Sequence, residues 1–166
     1  MSLPDIVWYT WGRMELFDGP KHLFWRVFIY PVFPSLQRYI GQIPWVRQYG
    51  PPGRQRWLLG SLAPGRTAEE LLDHLVSQGF KNHFIAWQDD GQVASVRKLV
   101  GYRYQYHIRI FADGEVRGHY EYTPEARPFA HLKEIDQEER RSELLEFLGY
   151  YVIPRNSPLN ITPSFA

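Results

Sequence analysis

An α+β fold is expected: a single domain with an antiparallel or mixed sheet and two main helices packed on one face. Three observations carry this expectation. Short aromatic-rich runs recur along most of the 166 residues, cut by Gly, Pro and Asp turn signals. Two later stretches carry leucines at helical spacing behind cap signatures. A segment from Tyr104 to Tyr122 alternates polar and apolar residues across an Asp-Gly turn. Strands in runs with two helices set among them imply a sheet covered by helices. The domain is placed over residues 1–154, with a loosely ordered tail over 155–166.

In chain order, Ile6–Trp11 and Arg13–Phe17 read as short strands, followed by a turn at Asp18-Gly19-Pro20-Lys21. His22–Tyr30, rich in aromatics, reads as a strand. Ser35–Ile40 suits one or two helical turns between prolines. Gly50-Pro51-Pro52-Gly53 is a loop and Arg56–Leu62 a strand. Thr67-Ala68-Glu69-Glu70 is a capping box, in which the Thr hydroxyl accepts from the third amide and the Glu reaches back. Leu71, Leu72, Leu75 and Val76 form the apolar stripe of the helix it opens, and Gly79 supplies the left-handed stop. Strands follow at Phe80–Gln88 and Val93–Val100, around an Asp89-Asp90-Gly91 turn. Asp136-Gln137-Glu138-Glu139 is a second cap signature. The helix it opens carries Leu144, Leu145 and Leu148, with Gly149 beyond its end. Tyr150–Ile153 returns as a last strand.

Composition narrows the functional classes. There is no cysteine, which excludes disulfides, thiolate metal sites, iron–sulfur clusters and cysteine nucleophiles. The aromatic share of 16% fits a packed core rather than disorder. The opening MSLPDIVWYT has neither a basic nor a long apolar region, so no signal peptide is expected and a cytoplasmic location follows by default. The apolar run VFIYPVFPSL holds two prolines and falls short of the ~20 residues of a membrane span, so no membrane partner is expected. Net charge is +1, but residues 1–66 carry a net +5 and residues 67–166 a net −4. Such asymmetry marks an anionic partner or merely two faces of one fold.

The most informative stretch is YQYHIRIFADGEVRGHYE, Tyr104 to Glu121. A three-residue loop with Gly114 in the left-handed region pairs Phe111 with Glu115. Ile110 then meets Val116 and Tyr106 meets Tyr120 on the apolar face. On the polar face Arg109 meets Arg117, His107 meets His119, and Gln105 meets Glu121. A two-residue Asp113-Gly114 turn would mix the faces and is rejected on that ground. Arg109 opposite Arg117 asks for a compensating negative charge, from Glu115, Glu121, Glu125, another element or a bound anion.

The leading functional expectation is a binding or interaction protein for an anionic ligand bearing phosphate or carboxylate. Arg109 and Arg117 would clamp it, His107 and His119 donate, and Gln105 and Glu121 orient. The alternative is a metal-independent phosphodiesterase or related hydrolase, with His107 and His119 as catalytic acid and base. Against both stands the plain account of a solvated sheet face whose groups pair with each other and with water. His107, His119 and Glu121 match a two-histidine, one-carboxylate ligand set, with His131 as a spare. Two guanidiniums beside them would repel a divalent cation, so neither a metal nor a cofactor is expected. No Gly-x-Ser-x-Gly elbow, phosphate-binding glycine loop or His-Glu-x-x-His motif is present, and the sequence assigns no enzyme class.

Two further segments are candidates. Glu125, Arg127 and His131 would rim a pocket at the hairpin's end, although a connector into the last helix is the simpler reading. In PWVRQYGPPGRQRW, Pro44 to Trp57, Arg47, Arg54 and Arg56 interleave with Trp45, Tyr49 and Trp57. That mixture suits a nucleic-acid-binding module, with cations on phosphates and rings on bases. A sequence pI near 8.0 is low for a dedicated binder.

Overall fold

The structure is a computed structural model. It describes residues 57–83, 91–127 and 140–155, together with Phe24, Val27, Phe28, Val32 and Tyr39. The strands expected over Ile6–Trp11 and Arg13–Phe17 lie outside the described residues. So do Arg47, Arg54 and Arg56, the Asp136–Glu139 signature, His131 and the tail after 155.

Among the described residues six strands form one sheet, ordered β2-β3-β4-β5-β1-β6, with every neighbouring pair antiparallel. They are β1 (Leu58–Leu62), β2 (Lys81–Asn82), β3 (Gln92–Val100), β4 (Tyr104–Phe111), β5 (Glu115–Tyr122) and β6 (Val152–Pro154). With helices α1 (Ala68–Ser77) and α2 (Arg141–Leu148), the architecture is α+β. No helix among the described residues is long and apolar enough to cross a membrane.

Helix α1 forms as its capping box dictates. The Thr67 hydroxyl accepts from the Glu70 amide at 3.1 Å, and the Glu70 carboxylate accepts from the Thr67 amide at 3.1 Å. Gly79, at φ +89°, ends it in the left-handed region. Helix α2 opens at Arg141, with Arg140 left-handed and without a side-chain cap, rather than from the acidic signature four residues earlier. Where Tyr150–Ile153 was expected to be extended, a 3₁₀ turn occupies Gly149–Tyr151 and the strand runs Val152–Pro154.

His22–Tyr30 also departs from expectation. Phe24 has α-helical and Val27 and Phe28 π-helical backbone, and the Phe24 and Phe28 rings lie 5.5 Å apart. Aromatics four apart meet on a helix, and a β-rich composition does not enforce a strand without a sheet to join. Tyr39 is helical, as Ser35–Ile40 suggested.

One buried cluster joins Leu71, Leu72 and Leu75 of α1 and Leu144 and Leu148 of α2 to Val96, Ile108, Ile110 and Val116 of the sheet. It lies on the apolar side of the β4–β5 hairpin. The hairpin has the expected register: Tyr106 opposite Tyr120, His107 opposite His119, Arg109 opposite Arg117, and Gln105 opposite Glu121. Its loop spans Ala112–Gly114, with Gly114 at φ +86° and its amide bonded to the Phe111 carbonyl at 3.0 Å. Glu115 donates its amide to the Asp113 carboxylate at 3.2 Å, which fixes the turn.

Candidate functional site

Strand alternation puts three neighbouring strands to work on one face. Ser95 on β3 lies opposite Arg109, and Arg97 opposite His107. Ser95 and Arg97 therefore join Gln105, His107 and Arg109 of β4 and Arg117, His119 and Glu121 of β5. His83 follows β2 and donates its amide to the Ser95 carbonyl at 2.9 Å, which brings its ring alongside.

This face is withdrawn from solvent. Gln105 is 0% exposed, His119 and Glu121 3%, His107 and Arg109 5%, and Arg117 6%. A solvated sheet face would leave such side chains in water, and burying them requires partners.

The partners form a connected network. Arg97 makes a two-pronged contact with Glu125, Nη1 to Oε2 at 3.0 Å and Nη2 to Oε1 at 2.7 Å. Arg97 Nη1 also donates to Gln105 Oε1 at 3.2 Å, and Gln105 Nε2 donates to Glu121 Oε1 at 2.7 Å. The Gln105 amide is thereby oriented, with oxygen toward the guanidinium and nitrogen toward the carboxylate. Gln105 Nε2 also lies 3.0 Å from His83 Nε2. An amide nitrogen only donates, so His83 Nε2 accepts and carries a lone pair directed into the cluster.

Glu121 is the hub. Its Oε1 lies 3.3 Å from His107 Nδ1 and 3.9 Å from His83 Nε2, and its Oε2 lies 3.1 Å from His119 Nε2. The imidazoles meet edge to face, His83 to His107 with centroids 4.7 Å apart and His107 to His119 at 5.0 Å. His107 Nε2 is 2.9 Å from the Ser95 hydroxyl. Burial pushes the His107 pKa down from 6.5 to about 3, against the raising effect of Glu121 and with added lowering from His119 and Arg109. His107 is therefore neutral near pH 7.

At the turn end of the same face Arg117 holds Glu115, with Nη2 at 3.0 Å and Nε at 3.3 Å from Oε2. Glu115 thus supplies negative charge that the opposed arginines called for. Trp57 is half-buried, with its ring centroid 6.5 Å from that of His119. It sits beside the histidine cluster, while the arginines grouped with it in sequence lie outside the described residues. Arg127 is exposed and stacks on the Tyr122 ring at 4.5 Å. With Tyr102, Arg103 and Ala126 it lines a shallow cavity of about 380 Å³, while Glu125 turns inward to Arg97.

Sequence reasoning assembled the β4 and β5 members and missed three. Ser95 and Arg97 follow from alternation once β3 is known to pair with β4. His83 lies just beyond β2, with no spacing motif to link it, and only the sheet order reveals it. No protein-family model, curated protein or solved structure matches the chain.

Proposed function

We propose that this is a binding protein for a small phosphate- or carboxylate-bearing ligand, taken on the polar face where Arg109 and Arg117 oppose each other. The observation that supports the reading is the ladder itself, which sets Arg109 directly opposite Arg117; Glu115 holds the Arg117 fork at 3.0 Å, and a ligand oxyanion would replace or join it there. Guanidinium forks match carboxylate and phosphate oxygens, and in a water-poor setting each such contact strengthens. In this reading both helices cover the apolar face, as their leucines in the common core support, and the ligand enters a polar face that the protein itself largely buries.

The test is a thermal-shift titration with inorganic phosphate. Phosphate raises the melting temperature of the wild-type protein, and Arg109→Lys with Arg117→Lys, which keeps charge but loses the fork, removes most of the rise. An unchanged melting temperature at millimolar phosphate sinks the reading.

A second reading, hydrolysis by His107 and His119, draws on Glu121 lying beside both imidazoles. With its proton affinity so low, His107 is unprotonated at neutral pH and cannot serve as the acid, and it is only a weak base, which counts against this reading.

A further inference from the structure

Resting on the reading of the polar face as the ligand site, we infer that His83, His107 and Glu121 together hold a divalent first-row transition-metal ion. Their ligand atoms lie within 4.8 Å of one another, and all three residues are buried. Two donors bound at about 2.1 Å with a tetrahedral angle between them are about 3.4 Å apart. Here Glu121 Oε1 is 3.3 Å from His107 Nδ1 and 3.9 Å from His83 Nε2, and the whole set spans 4.8 Å, so the two histidines must close on the ion by about 1 Å and the Gln105 amide nitrogen, 3.0 Å from His83 Nε2 and 2.7 Å from Glu121 Oε1, must swing out of its place.

The donors have the chemistry that a borderline metal selects: two imidazoles and one carboxylate, with coordination positions left open. The His83 Nε2 lone pair already points inward, because its neighbour Gln105 Nε2 only donates. His107 must bind through Nδ1, which moves its proton to Nε2. The Ser95 hydroxyl, 2.9 Å from that nitrogen, accepts in this tautomer as readily as it donates in the other. Such a partner on the far nitrogen is what orients metal-bound histidines. His119 Nε2, 3.1 Å from the second oxygen of Glu121, belongs to the outer layer.

The objection from cationic neighbours is met in part: Arg97 is matched by Glu125 and Arg117 by Glu115, while the charge of Arg109 acts on His107 and opposes the ion. The open positions of the ion are then available to an oxygen of the anionic ligand, two residues along β4 from Arg109.

The experiment uses Co2+ as probe. Full-length protein, stripped of metal and titrated with Co2+, develops ligand-field absorption saturating at one ion per chain, and X-ray absorption shows imidazole scattering. His83→Ala and Glu121→Gln each lose the signal, and Ser95→Ala weakens binding by roughly tenfold to a hundredfold. His74→Gln, on α1 outside the cluster, retains it. The spectra of the unaltered protein decide the matter if a variant fails to fold. Absence of the Co2+ bands, imidazole-free scattering, or full binding by His83→Ala overturns the site. Phosphate stabilisation without Co2+ binding would overturn the metal and spare the anion reading. Co2+ binding without a phosphate response does the reverse.

Discussion

His107 touches Ser95, Glu121 and two other imidazoles, and it has one consequence measurable without any ligand. In the unfolded chain it takes a proton near pH 6.5, whereas in the fold burial delays protonation to about pH 3. The unfolded state therefore binds more protons across that window, so the metal-free protein loses stability as pH falls from 6.5 toward 3, by up to roughly 5 kcal/mol from this residue. Urea unfolding at stepped pH checks it. His107→Gln, which cannot charge, flattens the dependence, and a slope unchanged by that substitution would refute the assignment. The Gln105 amide shows why such detail was only partly legible. Its place opposite Glu121 follows from counting back from Gly114. Its bonds to Arg97 and His83 depend on β2 and β3, whose pairing no local spacing encodes.

Strand β1 is pressed tightly against its edge neighbour. A Cβ added at Gly60 would lie 2.1 Å from the Ile153 carbonyl oxygen and 2.7 Å from Val152 Cγ1. Gly60→Ala must push β6 away, with an expected loss of about 3 kcal/mol in denaturant unfolding. A cost under about 0.5 kcal/mol would show that β6 does not pack there as described. The elements that the sequence made readable are those whose cause is local: the Thr67 capping box, and the Gly114 loop that fixes the hairpin. Those it misread depend on context. Aromatics at 22–30 suggested a strand, yet Phe24, Val27 and Phe28 are helical. Acidic residues at 136–139 suggested a cap, yet α2 starts at Arg141.

Across the molecule, Arg141 is the fastener between helix and sheet. From the first turn of α2 it donates to the carbonyls of Leu58, Leu59 and Arg155, with the Leu59 contact at 2.8 Å. Arg141→Met keeps the aliphatic stem and removes three hydrogen bonds, but the Leu59 carbonyl still accepts from the Arg155 amide and the Arg155 carbonyl faces water, so the cost is roughly 1–2 kcal/mol in urea unfolding. A melting temperature within a degree of wild type would show that these contacts carry little. Strand order was the least legible property, because β1 precedes the hairpin in sequence and yet lies between β5 and β6. That placement also governs assembly. As the chain is synthesised, β1 emerges before either neighbour: β5 can cover one edge once residue 122 is made, and the other edge waits for β6 at 152–154. The interval in which an unpaired strand edge is offered to other chains is therefore set by where one five-residue strand sits.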